Sequence, residues 1–239
     1  MTGTAPLALV VGAPGTNRGR DAETALELAG ARATHVSITD LMLRPAVMRS
    51  AHMLVVAGGF SHADALGAGR LFARSLARLA EDELGSFIAN RRPVIGICNG
   101  FQALVGAGLL PGALGHNASG HFQCEWVTLQ PVQDSVCVWT KNLEPFDCPI
   151  AHGEGRYVHP DHEALQRSGQ VALRYERDPN GSVASVAGVC DPTGVVLGLM
   201  PHPENHSVAR QHPLYRRRGP RPLGLQLFER GIAHAREIA

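Results

Sequence analysis

The sequence has 239 residues, of which 44% are hydrophobic and 18% charged, so the chain is long enough to bury a substantial core. Its formal net charge of +1 provides no overall field to attract nucleic acid or an anionic membrane, and we expect neither as a partner. No apolar run approaches the roughly 20 residues of a membrane-spanning helix. The amino terminus lacks the basic and apolar segments of a secretory signal, so we expect a cytoplasmic location.

The cysteine and histidine patterns favour a reduced protein without a metal. The five cysteines are odd in number and contain no C-x-x-C pair, which argues against a disulfide framework and a zinc site. Histidine pairs occur in His159-Pro160-Asp161-His162 and between His202 and His206. The prolines within these pairs disfavour a helical ligand face, and we predict no metal.

The amino-terminal half alternates between strand and helix patterns. Apolar runs predict strands at residues 7–11, 35–38, 53–57 and 93–97. Helical periodicity covers residues 21–29 and 69–90, and an apolar helix begins at Phe101. Strands that alternate with helices indicate a parallel sheet with helices on both faces.

The carboxy-terminal half has a different sequence pattern. Short β segments are predicted at residues 126–129, 136–139, 171–175 and 195–199, followed by a closing helix over 223–238. We therefore predict an α/β fold with a mostly parallel central sheet, helices on both faces and additional β segments in the C-terminal half. Residues 1–239 are expected to form a single domain.

The most informative segment is Gly96-Ile97-Cys98-Asn99-Gly100. It has the form G-x-C-x-G, the cysteine version of a nucleophile elbow, and it lies between a predicted strand and a predicted helix. A thiol at a helix N-terminus is exposed to the positive end of the helix dipole, which favours the reactive thiolate. The pentapeptide alone equally fits a buried structural cysteine beside turn glycines.

A cysteine nucleophile needs a base, a group that orients the base, and an oxyanion hole. His202 and Glu204 directly follow the predicted strand 195–199, at the strand end where α/β folds build their sites. A surface turn is the plain alternative for this segment. The backbone N–H of Asn99 and the Gly58-Gly59 turn are candidates for the oxyanion hole.

Two other segments carry weaker signals. The loop around Gly15 follows a strand and opens a helix, but it lacks the spacing of a phosphate-binding loop. The arginine-rich segment 216–221 fits a solvated loop better than an anion-binding or partner-binding patch.

Five motifs occur in order along the chain. They are Gly58-Gly59-Phe60-Ser61-x-x-Asp64, Gly96-Ile97-Cys98-Asn99-Gly100-Phe101-Gln102, Asn117-x-Ser119-x-x-Phe122-x-Cys124-x-Trp126-Val127, Ile150-Ala151-His152-Gly153-Glu154-Gly155-Arg156-Tyr157 and Met200-Pro201-His202-Pro203-Glu204. Together they are similar to the class I (triad) glutamine amidotransferases and, among these, to the glutaminase subunits of phosphoribosylformylglycinamidine synthase. The departures are Ala57 in place of proline, His62-Ala63 in place of Tyr-Gly, and His121 and Glu125 in place of arginine.

The resemblance implies a flavodoxin-like fold and a specific set of site residues. Cys98, His202 and Glu204 would form the catalytic triad. The backbone N–H groups of Gly59 and Asn99 would form the oxyanion hole. Further residues would bind the substrate glutamine, and these are Gly58, Gln102 and Phe122. The resemblance does not decide whether residues 152–157 belong to the active site or to an interface.

The resemblance also implies a partner. Ammonia released from glutamine would pass to a synthetase subunit that converts formylglycinamide ribonucleotide to formylglycinamidine ribonucleotide in purine biosynthesis. ATP and Mg²⁺ are expected at that subunit, with no cofactor in this chain, and the presence of a small third subunit stays open. The alternatives are a stand-alone thiol hydrolase acting on γ-glutamyl substrates and a non-catalytic module.

Overall fold

The computed structural model describes residues 5–219 and 221–238. Residues 1–4 lie outside this range, and they belong to the terminus in which we predict no secretory signal. Pro220 of the arginine-rich segment also lies outside it. The strands are β1 (Leu7–Gly12), β2 (Arg32–Ser37), β3 (Met53–Val56), β4 (Val94–Ile97), β5 (Ala113–Gly115), β6 (Gln123–Pro131), β7 (Phe146–His152), β8 (Arg156–Val158), β9 (Val171–Tyr175), β10 (Val186–Cys190) and β11 (Val196–Leu199).

Helices and short turns connect these strands. The α-helices are α1 (Gly19–Leu28), α2 (Ile38–Leu43), α3 (Arg70–Ala80), α4 (Glu83–Ala89), α5 (Asn99–Gly106), α6 (His162–Arg167), α7 (Tyr215–Arg218) and α8 (Leu225–Glu237). The 3₁₀ turns are Pro45–Ser50, Ser61–Asp64, Val183–Ser185, Pro203–Asn205 and Ala209–Gln211. No helix within the described ranges is long and apolar enough to cross a bilayer.

A nine-stranded sheet of order β2-β1-β3-β4-β11-β10-β9-β6-β7 organises the chain. The strands from β2 to β11 in that order pair in parallel, and the remaining neighbours pair antiparallel. Among the helices, α1 packs against α8 and α3 packs against α5. The predicted α/β fold is confirmed, and most of the additional β segments extend the same sheet.

Two predicted elements differ from the structure. The helix predicted over 69–90 is interrupted between α3 and α4, where Asp82 adopts a non-helical backbone conformation (φ −121°, ψ −107°). The strand predicted over 136–139 is wrong, because this segment is irregular and ends in a turn instead of joining the sheet. The segment is apolar because it contributes to the core. The Trp139 side chain is fully buried, and its Nε1 donates to the Val195 carbonyl over 3.0 Å.

The parallel strands bring two loops to one edge of the sheet. Every residue of β3, β4 and β11 is buried, which is typical of parallel strands that are covered on both faces. β4 and β11 pair in register from Val94 with Val196 to Ile97 with Leu199. The chain therefore leaves both strands at the same edge, with Cys98 after β4 and Met200 after β11.

Close packing fixes this edge. A Cβ added to Gly198 in β11 would overlap the ring of Phe101 on α5 and would lie 2.6 Å from Leu110 Cδ1. We therefore expect Gly198→Ala to lower the free energy of unfolding by roughly 1–3 kcal/mol, as overpacked cores do. Gly115→Ala is the matched control, because its Cβ meets nothing within 4 Å, and its effect should stay within about 0.5 kcal/mol. Urea titrations measure both, and equal effects would contradict the packing argument.

Candidate active site

Cys98 occupies a strained turn at the start of α5. Its backbone has φ 51° and ψ −106°, a conformation that non-glycine residues rarely adopt. Its N–H donates to the Leu199 carbonyl over 2.8 Å, which ties the turn to β11. Backbone segments approach each other closely here. A Cβ on Gly100 would overlap the Val56 carbonyl, and one on Gly96 would lie 2.7 Å from the Gly100 carbonyl oxygen. Both flanking glycines are thus required sterically.

His202 and Glu204 leave the neighbouring strand β11. The His202 Nδ1 lies 2.7 Å from Glu204 Oε1, and both side chains are buried. The His202 backbone N–H donates to the Pro149 carbonyl over 2.9 Å, which fixes the segment against β7. Glu204 Oε2 has no hydrogen-bond partner within the described residues. The carboxylate therefore holds one imidazole nitrogen and leaves Nε2 for another group.

The buried charges interact strongly with the imidazole. Burial lowers the pKa of His202, but the Glu204 carboxylate and the charge and hydrogen bond of Cys98 outweigh it and raise this pKa to about 10. The imidazolium form of His202 is thus favoured at neutral pH. The site places a proton donor beside the Cys98 thiol.

Gly58 and Gly59 border the same space. A Cβ on Gly58 would lie 3.1 Å from His202 Cε1 and 3.5 Å from Cys98 Cβ, so this glycine lies between the two side chains. Gly59 has φ 136°, and a Cβ there would lie 2.6 Å from the Asn17 backbone nitrogen. Asn99 is the first residue of α5, where backbone N–H groups lack a partner within the helix.

Gln102 is held by residues of the protein at both ends of its amide. Asn99 Nδ2 donates to Gln102 Oε1 over 3.0 Å, and Gln102 Nε2 donates to the Glu154 carbonyl over 2.6 Å. Asn99 also receives the Ser61 N–H at 3.1 Å and donates to Asp64 Oδ1 at 3.1 Å. Burial raises the pKa of Asp64, and the charge of Glu154 adds to this effect. Gln102 thus connects α5 to the loop between β7 and β8.

Phe122 lies apart from this buried network. Its side chain is 55% exposed, and its ring would be 3.8 Å from a Cβ on Gly153. It therefore flanks the loop between β7 and β8 from the solvent side.

His152 belongs to the segment 152–157, which the sequence left open between active site and interface, and its side chain is buried in this region. The Asn117 Oδ1 receives the Gly155 N–H at 3.2 Å and lies 3.0 Å from His152 Nδ1, so Nδ1 carries the proton. Its Nε2 is buried and has no partner within the described residues. Burial lowers the pKa of His152, and the charge of His202 lowers it further, to about 4. In the sequence, the Gly-Glu-Gly that follows His152 fits an ordinary solvent-exposed loop equally well. Spacing alone therefore does not indicate a buried histidine here.

The position of His152 relates residues 152–157 to the site. Its neighbour Ala151 has its carbonyl oxygen 3.9 Å from Cys98 Sγ. The end of β7, directly before this loop, therefore borders the thiol. Elsewhere, the described residues contain no group of three or more His, Cys, Asp and Glu side chains arranged for a metal ion.

Comparisons with known proteins agree with this geometry. The model of the CobB/CobQ-like glutamine amidotransferase domain matches residues 5–235. The chain belongs to this family. It is 42% identical to the phosphoribosylformylglycinamidine synthase subunit PurQ of Treponema denticola, with 95% of this chain and 98% of that protein covered. The PurQ subunit of Thermomicrobium roseum is 43% identical, with coverage of 82% and 85%.

Solved structures of glutamine amidotransferases share the fold. A chain of the PurLQS structure from Thermotoga maritima superposes with a TM-score of 0.79 at 35% identity, covering 96% of this chain and 98% of that one. A glutamine amidotransferase from the same organism gives 0.55 at 17% identity, with coverage of 87% and 79%. The resemblance to synthase glutaminase subunits in the sequence motifs is thereby confirmed.

Glu204 should determine the protonation of His202 in this amidotransferase. Glu204→Gln keeps the shape but removes the charge, so we expect the pKa of His202 to fall clearly below its value of about 10. We also expect kcat for glutamine hydrolysis to fall by roughly two orders of magnitude or more. Histidine NMR titration measures the first effect. An unchanged His202 titration would contradict the electrostatic account.

His152 should make stability depend on pH in acid. Its pKa is about 4 in the folded chain and 6.5 in the ordinary case, so the unfolded chain binds the proton more readily between these values. The stability from neutral His152 is complete above pH 6.5 and is lost as the pH falls towards 4. We expect His152→Gln to lose less stability over this window than the wild type.

The exposed His121 provides the control for this measurement. His121→Gln should retain the wild-type slope of unfolding free energy against pH, because its side chain is exposed to solvent. Urea titrations at a series of pH values measure all three proteins. Parallel curves for the wild type and the His152 variant would contradict the burial argument.

Proposed function

We propose that the chain hydrolyses glutamine through Cys98, His202 and Glu204 and delivers the ammonia to a synthetase partner. One observation carries the proposal: a thiol on a strained turn at a helix start shares a buried space with an imidazole that a carboxylate orients. The match to synthase glutaminase subunits over nearly the whole chain supports the same reaction.

The first half of the reaction releases ammonia. The Cys98 thiolate attacks the side-chain amide carbon of glutamine, and the electron pair of the carbonyl moves to oxygen. The backbone N–H groups of Gly59 and Asn99 are proposed donors to this oxyanion, each contributing about 3 kcal/mol. The tetrahedral intermediate collapses when His202 donates its proton to the departing nitrogen. The products are ammonia and a γ-glutamyl thioester on Cys98.

The second half restores the enzyme. His202, now neutral, removes a proton from water, and the hydroxide attacks the thioester carbonyl. Collapse of this second intermediate expels the thiolate and yields glutamate. Glu204 keeps Nε2 of His202 directed at the reacting atoms throughout.

Substrate binding is proposed at the rim of this space. Gly58 leaves room for the glutamine side chain between Cys98 and His202, and Phe122 covers the solvent side. Gln102 is engaged by protein partners at both ends, which supports a role in shaping the pocket through residues 152–155. The unpartnered Nε2 of His152 is a candidate acceptor for a substrate N–H.

The proposed partner is a synthetase subunit. The superposed chain belongs to the PurLQS structure, and the relatives are subunits of a synthase. We propose that the partner binds ATP and Mg²⁺ and forms formylglycinamidine ribonucleotide, that a small third subunit joins the complex, and that it works in the cytoplasm. We further propose that residues 1–239 act as one domain, since one sheet includes strands from both halves. A stand-alone thiol hydrolase is not favoured, because the relatives match over nearly their full length.

Replacement of the thiol should separate the two activities. Cys98→Ala should abolish glutamine-dependent amidine formation in the reconstituted complex and retain the activity with added ammonium salts, because the synthetase step needs only ammonia. Cys124→Ala is the matched control, since Cys124 is an exposed thiol and should leave both activities intact. Coupled assays with the two nitrogen donors measure this. Full glutamine-dependent turnover in the Cys98 variant would overturn the triad.

A further inference from the structure

A second cavity lies at the opposite edge of the sheet from Cys98. It has a volume of about 780 Å³. Its wall includes Arg91, which precedes β4, and Thr193, which precedes β11. Because Cys98 follows the other end of β4, the length of a strand separates this cavity from the thiol. The cavity is therefore no part of the glutamine site.

Cations from separate parts of the fold converge on this cavity. Arg91 comes from the turn before β4, Lys141 from the segment after Trp139, and Arg230 from α8. Glu237 is the carboxylate among the described lining residues, so three permanent positive charges face one negative charge. Lys141 and Arg230 have no ion pair with any described carboxylate. These two side chains are thus available to an anion.

Hydrogen bonds in the wall hold one of these cations, Arg91, in place. Arg91 Nη1 donates to the Thr193 carbonyl over 2.8 Å, and His234 Nε2 donates to the Arg91 carbonyl over 3.0 Å. The nearby Asp191 carboxylate is turned inward and accepts the Thr193 hydroxyl at 2.6 Å, so it does not line the cavity. Arg91 is therefore fixed by both its backbone and its side chain.

The remaining lining offers apolar and polar contacts. Val132, Val136 and Val138 contribute apolar surface. The hydroxyl of Thr140 is buried within the wall and has no nitrogen or oxygen partner in the described residues. The volume falls in the range of roughly 300–1,000 Å³ that small-molecule sites occupy. The cavity thus combines several cations with a smaller apolar surface.

We propose that this cavity binds a phosphate-bearing small molecule of nucleotide size. Arg91, Lys141 and Arg230 contact the phosphates, because guanidinium and ammonium groups bind phosphate oxygens through charge-assisted hydrogen bonds. The valine surface packs against the nucleoside part. Binding at this site does not depend on the glutaminase reaction.

ADP is the probe, and isothermal titration of the full chain at low ionic strength is the measurement. We expect the double variant Lys141→Glu/Arg230→Glu to bind ADP at least roughly tenfold more weakly than the wild type. Arg74→Glu/Arg78→Glu on α3 is the matched control, because it changes the net charge equally at two exposed arginines away from the cavity. It should retain affinity within about twofold. Pyrophosphate should compete with ADP, and adenosine should bind more weakly than ADP.

A second measurement uses the wild type alone. Lys141 is the only lysine of the sequence, so an amine-acetylating reagent modifies one side chain, which peptide mass mapping separates from the amino terminus. ADP should slow acetylation of Lys141, and adenosine should not. Absence of ADP binding, equal losses in the two double variants, or acetylation unaffected by saturating ADP would each overturn the proposal. Glutamine hydrolysis is not a readout here, so failure of this site leaves the triad untouched.

Discussion

The backbone conformation of Cys98 is the constraint on which the site depends. A non-glycine residue at φ 51° is costly, and the surrounding packing must hold it there. The hydrogen bond to Leu199 and the absence of side chains at Gly96 and Gly100 provide that hold. The hydrogen bond to Leu199 also ties the end of β4 to β11. The turn that contains Cys98 and the strand that precedes His202 are therefore directly connected.

Electrostatic interactions further stabilise this arrangement of side chains. Burial of Glu204 is costly for an isolated carboxylate, but an imidazolium 2.7 Å away offsets that cost. His152 lies close enough to be affected by the charge of His202, and it stays neutral because it is buried. The site thus contains one charged imidazole, that of His202, and one neutral imidazole, that of His152.

Much of this arrangement could be predicted from the sequence. The apolar runs of β3, β4 and β11 indicate buried parallel strands, and the elbow glycines with His202 and Glu204 indicate their common edge. The segment 136–139 misleads because an apolar run does not distinguish a strand from a buried turn. The role of His152 depends on its contact with Asn117, 35 residues away, which local spacing does not contain. The hydrogen bonds of Gln102 to Asn99 and Glu154 depend on the same loop.

The most direct test of the central claim is to trap the covalent intermediate. The chain is mixed with glutamine alongside its synthetase partner, quenched in acid during turnover, digested and mapped by mass spectrometry. The account predicts a γ-glutamyl group on the peptide that contains Cys98, and no such group on the corresponding peptide of the Cys98→Ala variant. Ammonia production without any γ-glutamyl adduct on Cys98, or with an adduct on another cysteine, would contradict it.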